Sequence, residues 1–211
     1  ILYIEEKNMD SLVIIGSGGH SKSCLDVIEK EKKYKIVGFV EKNRTKNIKF
    51  MGYPILGSDE DLKEIKKKYS NAFIAIGQTL DPKIRTDKFL KLLSLGFKIP
   101  VIVSPYSHVS KKTTIGSGTI VMHNVVVNTE SHIGKNCIIN TKSLIEHEVE
   151  IGDNTHVSTG AIINGNCQIG SNTFIGSGSV IKEGLKIGNN CIIGMGSIIK
   201  NNIKDNEIAK K

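Results

Sequence analysis

Residues 109–199 read VSKKTTIGSGTIVMHNVVVNTESHIGKNCIINTKSLIEHEVEIGDNTHVSTGAIINGNCQIGSNTFIGSGSVIKEGLKIGNNCIIGMGSII. An aliphatic β-branched residue stands at every sixth position, running from Val109, Ile115, Val121 and Val127 through Ile145, Ile151 and Val157 to Ile193 and Ile199. A second register, two residues earlier, carries mostly small side chains such as Thr119, Ser131, Cys137, Thr155 and Ala161. IGSG at Ile115, IGKN at Ile133, IGDN at Ile151, IGSN at Ile169 and IGNN at Ile187 then mark a period of three hexads. A period of six is neither helical nor simple strand alternation; it is the signature of a parallel β-helix whose short strands each turn one large residue inward. Three hexads make one triangular coil, and at about 4.8 Å per coil the repeat builds a prism of about five coils. Each inward Ile or Val contributes roughly 1.5–3 kcal/mol of gross burial before chain entropy is subtracted. Gly, Asn and Asp at the IGxN corners suit turn and left-handed backbone. A sandwich of irregular strands has no reason to keep an unbroken six-residue spacing.

The chain has 211 residues, a formal charge of +8 and a sequence pI near 9.2. That length allows one or two domains. The basic balance fits an anionic small substrate better than nucleic acid, because the lysines are scattered, aromatic content is 5% and no nucleic-acid motif is present. Cys137, Cys167 and Cys191 fall in the small-residue register without Cys-x-x-Cys spacing, so wall residues are expected and no metal. The short acidic opening ILYIEEKNMD is neither a signal peptide nor a membrane span, which points to the cytoplasm. Met9 is a candidate start, with 1–8 an extension.

Ahead of the repeat, residues 9–104 read as an α/β domain. The apolar run from Ser11 to Ile15 ends in a glycine-rich turn, GSGGH, that opens a helical pattern with Cys24, Val27 and Ile28 on one face. Strands are expected at Lys35 to Val40 and Ala72 to Gly77, and helices at Asp59 to Tyr69 and Asp81 to Leu95. The second helix would carry Ile84, Phe89, Leu92 and Leu93 as its apolar residues. FKIPVIV would be a strand entering the linker, and 105–211 the β-helix. Alternating strands and helices argue a small Rossmann-like parallel sheet. Gly16, Gly18 and Gly19 are present, but Ser21 stands where a dinucleotide fingerprint needs its last glycine, so NAD is disfavoured. What remains is an anion site at a helix N-terminus, with Glu41 at a strand end placed to read ribose hydroxyls, suited to a nucleotide-sugar diphosphate.

Within the repeat, the segment from Asn140 to Ala161 holds residues a prism wall does not need: Asn140, Glu146, His147, Glu148 and His156. A histidine oriented by a carboxylate can take the proton of an amine or hydroxyl attacking a thioester, with Glu148 the expected orienting partner. His123 and His132 occupy the same phases as His147 and His156. Their neighbours differ, because His123 is flanked by Met122 and Asn124 and His147 by Glu146 and Glu148. On that ground His147 is the expected base. Nine residues are half a coil, so His147 and His156 would share a site only across a subunit interface.

The loop IGSGGH, a third strand ending AIG, and NTKSLIEHE followed by HVSTGA resemble the bacterial sugar acetyltransferases of the NeuD/PglD type, left-handed β-helix enzymes. The resemblance implies a homotrimer, acetyl-CoA in a groove between prisms, and a UDP-amino-sugar or nonulosonic acid held by the N-terminal domain. It also implies His147 as catalytic base with Glu148 its partner, and Asn140, Glu146, His156 and His20 as the surrounding shell. Coenzyme contacts are implied at Gly165, Gly194 and Gly196. The chain departs from the pattern in following Glu41 with Lys42 rather than a second acid, and in ending NEIAKK without a proline-containing tail. The expected reaction is N-acetylation of the 4-amino group of a UDP-linked amino-deoxy sugar for a surface glycan. O-acetylation of a sialic-type acid is the alternative, and a non-catalytic scaffold a remote one. A hexapeptide-repeat carbonic anhydrase would need three histidines on one zinc, which the paired spacing disfavours.

Overall fold

The computed structural model describes residues 9–42, 49–78 and 80–209; the expected extension at 1–8 lies outside them. β1 (Asp10–Ile15) is apolar on both sides because it runs through the middle of a sheet, pairing in parallel with β2 (Tyr34–Val40) and β5 (Asn71–Ile74). α1 (Gly19–Glu31) starts directly after the glycine turn and stops at Lys32, which adopts a left-handed φ of 55°. Two short strands were not legible from the pattern: β3 (Lys49–Phe50) and β4 (Tyr53–Gly57), which reverse at Met51 and Gly52, both at positive φ. β4 joins the parallel sheet beside β2, and β3 is its antiparallel edge, giving the order β3-β4-β2-β1-β5. Pro54 broke the apolar alternation that would have marked β4.

Two expectations shift here. The third strand ends at Ile74 rather than Gly77, since residues 75–78 leave the sheet and run to the prism. The helices are shorter than expected, α2 (Leu62–Lys68) and α3 (Lys83–Ser94). α3 also faces differently: Arg85, Phe89 and Leu92 are buried, while Ile84 is 65% exposed and Leu93 44%.

Every hexad from Val109 to Ile199 closes a two-residue strand, and strands three hexads apart pair in parallel, building the left-handed β-helix. The first face holds His108–Val109, Val126–Val127, Leu144–Ile145, Ile162–Ile163, Val180–Ile181 and Ile198–Ile199; the second begins at Thr114–Ile115 and includes Glu150–Ile151. The third face begins at Ile102–Val103, one hexad ahead of the Val109 that opens the sequence period, and pairs there with Ile120–Val121. FKIPVIV is therefore not one strand. Lys98 bridges to Asn71 in the α/β sheet, and Ile102 already belongs to the first coil.

The inward residues from Val121 to Ile199 form one continuous core. The small register does more than save space: Thr119, Thr155 and Thr173 each donate 2.8 Å hydrogen bonds to the carbonyls of Gly134, Gly170 and Gly188. Cys137 and Cys167 turn their thiols to carbonyls in the same way, Cys167 at 3.0 Å from that of Lys182. From Gly118 to Gly196, every sixth residue has φ between 55° and 75°, and the occupant is Gly or Asn except at Glu130, Lys142 and Glu148. The α/β domain packs on the third face, where Ile102, Ile120, Met122 and Ile138 share a core with Leu12, Ile14, Leu25 and Phe39.

Candidate active site

His147 lies at the corner joining the first and second faces, between Leu144–Ile145 and Glu150–Ile151. Its Nδ1 is 3.0 Å from Glu148 Oε2, and the two side chains are 55% and 58% exposed. A carboxylate can only accept, so Nδ1 carries the hydrogen and Nε2 presents its lone pair. Nε2 has no protein partner among the described residues. Gly165 lies one coil above: a Cβ built there would stand 2.6 Å from His147 Cε1 and 2.7 Å from Nε2, so this glycine makes room for the ring. Glu146 is turned to Asn128 on the preceding coil, whose Nδ2 donates at 2.9 Å, and so ties two coils together rather than holding the imidazole.

His156 is on the third face, 5% exposed. In a triangular coil that face is opposite the His147 corner. Its Nδ1 donates to the carbonyl of Gln78, a very short contact, and Nε2 faces Asn140 Nδ2 at 3.1 Å. Asn140 Oδ1 accepts from the Thr141 amide at 2.8 Å, which fixes the Nδ2 group toward His156. Both ends of the ring thus call for the neutral Nδ1–H form. Burial, with the Arg85 charge adding to it, lowers the pKa of His156 to about 4 against the bond to Gln78, which raises it. His20, at the start of α1, is lowered to about 3, by burial first and then by Arg85 and His156. Neither ring takes a proton at neutral pH, so both act as neutral polar groups.

His20, Gln78 and His156 line a cleft of about 790 Å³ together with Gly16, Gly18 and Gly19 of the turn and with Glu41, a size that suits a bound small molecule. Gly18 and Gly19 are open, with nothing within 4 Å of an added Cβ. Gly16 is structural: its φ is +96° and an added Cβ would meet Ile76 at 2.7 Å. Ser21, in place of the missing glycine, is buried and donates to the Gly16 carbonyl at 2.8 Å, tying the turn to α1. Glu41, expected to read a ribose, is held by the turn in this structure. Its Oε2 accepts from the Ser17 amide at 3.0 Å and the Ser17 hydroxyl at 2.5 Å, and Oε1 from the Lys42 amide at 2.8 Å. Both carboxylate oxygens and one turn amide are engaged within the protein, so reading a ribose there requires Glu41 to exchange partners.

His123 has no acid beside it in sequence, yet the fold brings one to it. His123 does have a carboxylate: Nε2 is 2.8 Å from Asp26 Oδ2 on α1, and Nδ1 is 2.6 Å from the buried Ser104 hydroxyl. That acid is 97 residues away and invisible to a neighbour rule. What separates the two histidines is access to a lone pair. Both nitrogens of His123 are engaged in clasping α1 to the prism, whereas Nε2 of His147 is open. His132 is exposed on the second face with Thr114 Oγ1 at 2.8 Å from Nδ1.

The amides of Gly194 and Gly196 donate to Ala209 and Ser177 carbonyls, each at 2.8 Å, and the Gly194 carbonyl accepts from the Ser179 hydroxyl at 3.2 Å and the Ser197 amide at 3.4 Å. Among the described residues no group of three or more His, Cys, Asp and Glu could hold a metal, and no helix is long and apolar enough to cross a membrane. Sequence reasoning missed Gln78 and Arg85; the latter is 1% exposed and spans carbonyls of both domains.

A family profile described as PglD N-terminal domain matches residues 11–92, and one described as bacterial transferase hexapeptide (six repeats) matches residues 166–201. Among solved structures, a variant of perosamine N-acetyltransferase from Caulobacter crescentus in complex with CoA and GDP-perosamine is 28% identical. The match covers 94% of this chain and 92% of that one, with a TM-score of 0.87. The acetyltransferase domain of PglB from Neisseria gonorrhoeae FA1090, in complex with acetyl coenzyme A, is also 28% identical, over 95% of each chain, with a TM-score of 0.87. WeeI from Acinetobacter baumannii AYE shares the fold at 23% identity, 93% and 94% coverage and a TM-score of 0.80. No curated protein sequence matches the chain.

Proposed function

We propose that the chain, which matches the PglD N-terminal and bacterial transferase hexapeptide profiles, is a sugar acetyltransferase of the NeuD/PglD type and that it acetylates the 4-amino group of a UDP-linked amino-deoxy sugar destined for a bacterial surface glycan. Acetyl-CoA is the acyl donor. The observation that carries this reading is the exposed His147 imidazole, held through Nδ1 by Glu148 at 3.0 Å with Nε2 open. The amine nitrogen attacks the thioester carbonyl while Nε2 takes its proton, and Glu148 stabilises the imidazolium. Collapse of the tetrahedral intermediate expels the coenzyme A thiolate, to which the imidazolium returns the proton. No covalent enzyme intermediate is needed.

The glycine-turn cleft is the proposed sugar-nucleotide site, and its amides at Gly18 and Gly19 are the donors for the diphosphate. Since the cleft and the His147 corner lie on different sides of one prism, we assign the working site to two subunits of a homotrimer. An outward apolar ladder on the first face, Val126, Leu144, Ile162, Val180 and Ile198, supports this; Ile198 alone is 68% exposed in the single chain. A cytoplasmic location fits the proposed substrates.

The test is thiol release from acetyl-CoA with UDP-linked and GDP-linked 4-amino sugars and free nonulosonic acids. Turnover of the UDP-linked amine is expected. Turnover of GDP-linked amines alone would move the nucleotide assignment to that of the Caulobacter relative, and turnover of hydroxyl acceptors alone would replace N-acetylation by O-acetylation.

A further inference from the structure

The α/β domain grips the prism by its backbone. Gly118, Asn136 and Asn154 occupy the same corner on three successive coils, all at positive φ. Their amides donate one coil back, to the carbonyls of Ile99, Ser117 and Lys135, whereas their own carbonyls take no part in the coil-to-coil ladder. Each carbonyl is taken by a side chain from the other domain. Arg85 Nη2 donates to Gly118 at 3.1 Å and Nε to Asn136 at 3.2 Å; Gln78 Nε2 donates to Asn154 at 2.8 Å. The same guanidinium reaches back with Nη1 to the carbonyls of Ile74 at 2.6 Å and Ile76 at 2.9 Å.

Arg85 is buried with carbonyls and no carboxylate among these partners. Burying a charge that way is costly, and a methionine would fill comparable volume without the cost. What only a planar fork supplies is simultaneous, directional contact with several acceptors. Here two of those acceptors, Ile74 and Ile76, are at the start of the segment that leaves β5 and ends at Gln78, and two, Gly118 and Asn136, are on the prism.

Gln78 is where this hold meets the site. Its carbonyl accepts from His156 Nδ1, and its side chain is anchored two residues earlier in the same coil, at Asn154. With Nδ1 protonated, His156 Nε2 accepts from Asn140, whose other end receives the Thr141 amide. One N–H of Asn140 is left for a ligand. Were His156 to carry its hydrogen on Nε2, the Asn140 amide would have to turn over and oppose the Thr141 N–H.

We propose that Arg85 and Gln78 are positioning residues of the acetyl-transfer site: they pin residues 74–78 to three consecutive coil corners, so that the Gln78 carbonyl holds His156 as the Nδ1–H tautomer and thereby orients Asn140. This rests on the reading that His156 and Asn140 belong to that site. Neither Arg85 nor Gln78 touches the reacting atoms in this account; both act through His156.

The test uses the full chain and its Gln78→Leu, Arg85→Met and Arg85→Lys variants. The tautomer of His156 is read by nitrogen-15 correlation spectroscopy of the imidazole, assigned by comparison with His156→Asn, alongside kcat and KM for both substrates and thermal unfolding. The wild type should show Nδ1–H between about pH 5 and 8. Below their unfolding temperatures, Gln78→Leu and Arg85→Met should show mixed tautomers and kcat lowered about tenfold or more with KM for acetyl-CoA unchanged, and Arg85→Lys should recover part of both. Variants that lose thermal stability alone, with tautomer and kcat as in the wild type, would reduce the pair to domain docking and overturn the proposal. Should Arg85→Met fail to fold, Gln78→Leu, which removes one hydrogen bond, decides. If the wild type acetylates no acceptor, the proposed function fails, yet the spectra still decide whether this pair sets the tautomer.

Discussion

Gly165 lies against the His147 imidazole, one coil away, so closely that a methyl group on it would stand 2.6 Å from Cε1. The glycine is there for the ring: its backbone is not at positive φ, and alanine would be tolerated by the coil itself. Gly165→Ala should therefore leave thermal unfolding nearly unchanged and cut kcat about 10- to 100-fold by tilting the base, as misplacements of about 1 Å do. Steady-state kinetics beside a melting curve check this; a variant with full kcat would show that the ring position is not critical.

Glu148 holds that ring from a backbone φ of 58°, at a corner position where the other coils mostly use Gly or Asn. Left-handed backbone costs a residue like glutamate about 1 kcal/mol relative to those two. Glu148→Asn should raise stability by about that amount while lowering kcat, a trade of stability for function. Lys142→Asn, at an equivalent corner with φ 61°, should give the gain without the loss. A Glu148→Asn enzyme that is both more stable and fully active would remove the carboxylate from the mechanism.

Stability should fall on the acid side. His156 and His20 have pKa values lowered from 6.5 to about 4 and about 3, chiefly by burial. The unfolded chain binds these protons near pH 6.5 and the folded chain does not, so their contribution is complete above that pH. It is lost as pH falls toward the folded values. Urea unfolding free energies should thus decline from about pH 6.5 to 4, and His156→Asn should flatten part of the slope. A slope identical in the variant would mean that His156 is not held neutral.

Assembly should be required for catalysis. Ile162→Glu, on the outward ladder of the first face, should yield folded single chains of 23.1 kDa with little activity. Coexpressing His147→Ala with Asn140→Ala, each inactive alone, should restore part of the activity in mixed oligomers, since an intact corner can meet an intact cleft. Mixed oligomers that stay inactive would place the whole site within one chain.

The prism was legible because a six-residue period leaves one architecture, and the same ruler singled out the corner of Glu146, His147 and Glu148. What it did not show are the relations made across the chain. Ile84 read as core and Arg85 was not singled out, since burial of an arginine depends on four carbonyls that converge only after folding. Glu41 read as a ribose contact, and its bonds to Ser17 arise only when the turn folds. His123 read as lacking an acid because Asp26 comes from α1. Periodicity reports which way a side chain points; it does not report what arrives to meet it from another element.

The most direct test of the central claim is His147→Gln, which keeps a polar side chain of similar reach but removes the imidazole Nε2 lone pair. The rate of thiol release from acetyl-CoA with a UDP-linked 4-amino sugar should fall at least about 100-fold, with KM for acetyl-CoA little changed. A variant turning over at the wild-type rate would contradict the assignment of His147 as the base.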